Sequence, residues 1–175
     1  MLRLSSWMGF IMTKYLLTII GLILASQSVS AKTVDDVLSC KKISDCPYIF
    51  DVYDGDAAFK KALDKFKKLP VASKDDWIAN GTASPSAPVI LDGKTYAIFD
   101  VCKPHDCGDN GYSLAYDPEE KKLFGIRVFL LKGISTPIGD PSIEVIEMLT
   151  SYRDGELGKE VNAENSVLPV TFHPK

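Results

Sequence analysis

The sequence predicts an α+β fold built on an antiparallel sheet, and three observations carry that expectation. Four apolar runs of strand length follow one another between Pro88 and Leu131. The pair Asp92-Gly93 joins the first two as a two-residue turn, because Gly tolerates the positive φ such a hairpin requires. Segments of helical period lie before and after the runs instead of alternating with them. Strands joined this briefly pair antiparallel, since a parallel pair needs a crossover of a dozen residues or more.

The first helix is expected over Thr33-Val-Asp-Asp36-Val-Leu38, with Thr33 as cap and Asp36 three residues on, near the positive end of the dipole. The second is expected over Asp56–Leu69. Phe59, Ala62, Leu63, Phe66 and Leu69 recur at three- and four-residue spacing, lysines at 60, 61, 65, 67 and 68 lie mostly opposite, and Pro70 ends it. The lysine run reads as a solvated face. Residues 71 to 88, rich in Gly, Ala, Ser and Pro, read as an irregular connection carrying Trp77. The strands are expected at Pro88–Leu91, Lys94–Val101, Gly111–Tyr116 and Lys122–Leu131, the last two joined through Asp117–Lys121. A helix is then expected over Asp140–Leu149, with Asp140 as cap and Pro141 in its first turn. A shorter one follows from Glu156 to Asn162.

Residues 1–31 contain no Asp or Glu. They carry Arg3 and Lys14, then an apolar run from Tyr15 to Ala25, then Ser26-Gln-Ser-Val-Ser-Ala31. A basic start, a short apolar core and small residues at its end describe a secretory signal, with cleavage expected after Ala31. The run is too short for a membrane span, which takes about 20 residues. Met1, Met8 and Met12 are alternative starts, each leaving the apolar core intact. Removing 31 of the 175 residues leaves one domain of 144, residues 32–175, and takes the formal charge from −3 to −5. A chain so acidic lacks the basic field that holds nucleic acid. The exported product is expected to have no membrane segment and to sit where disulfides persist.

Four cysteines allow three connectivities. The spacing favours Cys40–Cys46 and Cys102–Cys107, each closing a small local ring; crossed pairing between the N-terminal segment and the central loop is the alternative. A ring of this size contributes roughly 2 kcal/mol through loop entropy, so its larger effect is to hold a local shape.

The informative stretch is Cys102-Lys-Pro-His-Asp-Cys107, placed where a connection between the second and third strands belongs. A proline-containing ring has few backbone freedoms, and its tip is expected to present Lys103, His105 and Asp106. Rigid display of polar groups on a loop suits binding to a concave target. A zinc site built on Cys102, His105 and Cys107 would need reduced thiols in an oxidising compartment. A redox site would need Cys-x-x-Cys spacing. A hydrolase is disfavoured because the two histidines are His105 and His173, the latter two residues from the chain end, and no Gly-x-Ser-x-Gly elbow occurs. Read from the residues alone, a purely structural loop stays open. So does a small ligand-binding module, whose sign would be a deep apolar pocket with convergent polar groups away from residues 102–107. Asn80-Gly-Thr82, a glycosylation-type triplet, reads as a chance occurrence in a loop.

The ring, preceded by Ala83-Ser-Pro-Ser-Ala-Pro-Val89 and Leu91-Asp-Gly-Lys-Thr-Tyr96, resembles the Ivy family, periplasmic inhibitors of vertebrate (c-type) lysozyme. The resemblance runs from about Gly81 to Gly111, with helices matching in kind beyond it. It implies a central antiparallel meander of about five strands with helices on both sides, a periplasmic location, and no enzymatic activity, catalytic residue, cofactor or metal. It also implies that the loop plugs the lysozyme cleft. His105 would then meet the catalytic carboxylates, with Lys103, Pro104 and Asp106 as ring neighbours and Cys102–Cys107 as the clamp. Cys40–Cys46 lies outside the motif and is taken as a local staple. Expected partners are c-type lysozyme and, as a rival target, the cell's own lytic transglycosylases; a homodimer stays open.

Overall fold

The computed structural model describes residues 31–129 and 132–174. The export segment expected over residues 1–31 lies outside them except for Ala31, as does the end of the strand expected to reach Leu131. The helices are α1 (Val34–Ser39), α2 (Ile49–Gly55), α3 (Ala57–Phe66), α4 (Ile143–Asp154) and α5 (Glu156–Val161). The strands are β1 (Thr82–Ala83), β2 (Ala87–Leu91), β3 (Lys94–Cys102), β4 (Gly111–Asp117), β5 (Lys122–Phe129), β6 (Ile134–Ile138) and β7 (Val170–Phe172). They form one sheet in the order β6-β5-β4-β3-β2-β7, with β1 pairing separately on β3.

The meander from β2 to β5 is antiparallel as expected, and Asp92 and Gly93 turn the first hairpin with φ of 51° and 80°. The sheet differs from the expectation in two respects. Among the described residues it has seven strands, and β7 runs parallel to β2, pairing Val89 with Val170. A three-residue strand carries too little alternation to be read in advance. Pro137 within β6 argues against a strand, yet an edge position tolerates the missing N–H.

The sheet's alternating side chains enter two cores. Ala97, Phe99, Val101, Tyr112, Leu114 and Tyr116 pack with residues of α1, α2 and α3. Ile98, Ala115, Phe124, Ile126 and Val128 pack with α4 and α5. Phe59 of α3 is fully buried, its ring 4.7 Å from that of Phe99 and 5.3 Å, edge-on, from Tyr116. Burying one such side chain contributes about 1.5–3 kcal/mol, so the spacing read along α3 is what seats this helix.

The helix ends correct the sequence reading. In α1, Thr33 and Asp36 form the expected reciprocal cap. Asp56 is the cap of α3, accepting from the N–H groups of Ala58 and Phe59. That helix stops at Phe66, and Leu69 reaches the core from the turn beyond. α2 has no counterpart in the expectation because seven residues show too few turns for a period to emerge. Asp140 does not cap α4. It follows Gly139 in the left-handed region, with φ of 55° and 85°, so the two form the sharp exit from β6. The cap is Ser142, whose hydroxyl accepts from the Val145 N–H. Ser142→Ala is therefore expected to cost about 1 kcal/mol of unfolding free energy. Asp140→Gly, which removes a strained side chain, should cost nothing; denaturant titration of both variants checks the assignment.

Candidate functional site

The connection from β3 to β4 leaves the sheet where Cys102 pairs with Gly111. Both strands are interior, so the feet of this connection are fixed by neighbours on each side. β1 adds to this by pairing Thr82 with Cys102. Cys102 is bonded to Cys107, and Cys40 to Cys46.

Inside the ring the Asp106 N–H donates to the Lys103 carbonyl at 3.0 Å, closing a four-residue turn. Pro104 occupies its second position and His105 its third, with φ of +64°. Proline followed by a positive φ is a type II turn, which ordinarily places Gly at the third position. Histidine there costs about 1 kcal/mol in backbone strain. Lys103, Pro104 and His105 are all exposed. The imidazole thus stands at the apex of a closed turn.

Asp106 behaves differently from its expected role at the tip. It is half-buried, and its Oδ2 accepts from Asn110 Nδ2 at 2.7 Å, with Lys103 Nζ 3.9 Å away. Backbone bonds from Lys103 N–H to the Asn110 carbonyl, and from Asn110 N–H to the Asp106 carbonyl, complete the closure. Asp106 is a member of the loop's own scaffold.

Two arginines hold this loop from below. On the α3 side, Arg127 of β5 donates to Asn110 Oδ1 at 3.3 Å and to Asp75 Oδ1 at 3.2 Å, and its Cζ lies 4.3 Å over the Phe129 ring. Asp75 also accepts from the Tyr112 hydroxyl at 2.6 Å. Burial, then this bond to Asp75, pushes the Tyr112 hydroxyl far above the usual tyrosine range. On the α4 side, Arg153 donates to the Cys107 carbonyl at 3.3 Å and pairs with Asp100 at 3.5 Å. Asp100 also accepts from the Ser113 hydroxyl. Burial pushes the Asp100 carboxyl up, while Arg153 and Ser113 pull against that shift.

The ring is legible in the sequence and its support is not, since Asp75 and Arg127 are 52 positions apart and carry no motif. His173, the other histidine, lies beside α4 and α5 in a cleft of about 710 Å³ that also involves Ile146, Glu147, Leu157, Glu160 and Phe172. The sequence shows no pocket away from the ring; folding brings residues 146–173 together to make this one. Among the described residues no group of His, Cys, Asp and Glu could hold a metal ion, and Cys102 and Cys107 are spent on each other. Nor is any helix among them long and apolar enough to cross a membrane.

The stretch that carries this loop lies within a match to a known family. The family described as inhibitor of vertebrate lysozyme (Ivy) matches residues 63–133, from within α3 through the ring to the end of β5 and just beyond. The inhibitor of vertebrate lysozyme of Pseudomonas aeruginosa is 33% identical over 94 residues, covering 46% of this chain and 61% of that protein. The protein of the same description in Escherichia coli strain K12 is 29% identical over 128 residues, covering 71% of this chain and 68% of its own length. The match thus spans rather less than two thirds of the Pseudomonas relative. Both relatives are described as inhibitors and not as enzymes. Over the matched sheet and the loop it carries, this chain is similar to the Ivy family.

Proposed function

We propose that this protein is an exported inhibitor of c-type lysozyme. In this reading the ring of residues 102–107 enters the enzyme's cleft and sets His105 against its two catalytic carboxyl groups. The observation that carries it is the exposed imidazole of His105 at the apex of a disulfide-closed turn. The family match supports lysozyme as the class of target.

The chemistry is complementary. A retaining glycosidase of the lysozyme type holds two carboxyl groups about 5–5.5 Å apart, one a general acid with a raised pKa and the other ionised. An imidazolium has two N–H donors, enough to address both. Inhibition is then occlusion plus occupation of the catalytic pair, and no bond of the inhibitor is made or broken. Residues 1–31 act as the export leader in this reading, and the product works in the periplasm. Its formal charge of −5 without that leader favours encounter with a strongly basic enzyme.

Three outcomes are expected. His105→Asn keeps a side chain that accepts the left-handed backbone, so the melting temperature should move by no more than about 2–4 °C. The inhibition constant should nevertheless rise well over tenfold. Unchanged inhibition by this folded variant removes His105 from the mechanism. Opening the ring by Cys102→Ser with Cys107→Ser should cost more in affinity than in stability, read from inhibition constants beside melting curves; a loss in melting temperature alone makes the ring mere scaffold. Finally, the association rate should fall steeply as salt approaches about 0.15 M, where screening extends over only ~8 Å. A salt-independent rate in stopped-flow mixing contradicts the electrostatic part.

A further inference from the structure

The Arg153 side chain sits where two separate parts of the loop's foundation meet. Its Nη1 pairs with Asp100, on β3 two residues before the ring opens, and its Nη2 donates to the carbonyl of Cys107, where the ring closes. The pair is largely enclosed: the Arg153 and Asp100 side chains retain 11% and 14% of their exposure. The guanidinium also lies against Gly111, the residue paired with Cys102. A Cβ built there would come within 2.6 Å of Arg153 Nη2 and 3.1 Å of its Cζ. Glycine at 111 is thus the space the guanidinium occupies.

From this geometry we infer that Arg153 is a positioning residue for His105, fixing the direction in which the turn points; the inference rests on the inhibitor reading above. A planar guanidinium can engage two acceptors on different segments at once, and an ammonium at the end of a flexible stem cannot hold both in one geometry. The disulfide sets the size of the ring but leaves it free to tilt about its two feet. Arg127 holds the foot at Asn110 from the α3 side, and Arg153 holds Cys107 from the α4 side. With both in place the loop is preorganised, which lowers the ordering cost of binding. Arg153 acts through the loop and touches no target atom.

The test uses Arg153→Lys, which retains the charge facing Asp100, and Gly111→Ala, which displaces the guanidinium without altering it. Backbone ¹⁵N relaxation of the free protein is measured alongside inhibition of a c-type lysozyme. In both variants the order parameters of Lys103 and of residues 105–107 should fall from the rigid range near 0.85 toward about 0.6. Inhibition constants should rise about tenfold, with melting temperatures within about 2–4 °C of the parent. A loop as rigid as the parent's in either folded variant overturns the inference, and so does a loosened loop that inhibits equally well. If the parent protein itself fails to inhibit, the functional reading falls, and the brace stands or falls on the relaxation data.

Discussion

Closing Cys102 onto Cys107 confines the chain to a ring just as it leaves β3, and the rest of the site adapts to that closure. The fixed φ of Pro104 suits the second position of a turn, and this turn closes as type II, with the next residue, His105, at φ of +64°. A non-glycine residue persists there when its surroundings over-determine it. Here they do: the Asp106 N–H is held by the Lys103 carbonyl, the Asp106 carboxylate by Asn110, and the ring by its disulfide. The same closure that strains the backbone carries the imidazole outward.

A protruding turn is useful only if its base does not move. The sheet provides that base by placing the loop on two interior strands, each covered on both faces. Along β3, Phe99 and Val101 enter the core with α1 to α3, while Ile98 enters the core with α4 and α5. The polar supports obey the same alternation. Tyr112 and Arg127 reach Asp75 on one face, and on the other Asp100, which accepts from Ser113, pairs with Arg153. Charged groups this enclosed are costly to separate, because removing one partner leaves the other buried and uncompensated. The loop is held from both sides of the sheet by groups that cannot readily let go.

Local signals in the sequence were readable; long-range ones were not. The Asp92-Gly93 turn, the α3 spacing, the Thr33 cap and the ring itself each lie within a dozen residues, and each appears in the fold. Where two local signals competed, the nearer geometry won: Gly139 and Asp140 were consumed by a turn, so the cap passed to Ser142. β7 and the Asp75–Arg127 pair depend on segments that only the finished fold brings together. The left-handed backbone at His105 was not legible, because proline at the second position serves type I and type II turns alike and the glycine that marks type II is missing. Asp106 illustrates the limit well, since composition marks it as a tip charge and geometry makes it a strut.

The central claim is that this rigid turn occupies a lysozyme's catalytic groove. Titrating a c-type lysozyme with the purified protein, while following hydrolysis of its glycan substrate, tests this most directly. Activity should decline with added protein and vanish once the groove is filled, and raising the glycan concentration should relieve the inhibition because both compete for one site. Full hydrolytic activity at a large excess of the protein, or inhibition indifferent to glycan concentration, contradicts the account.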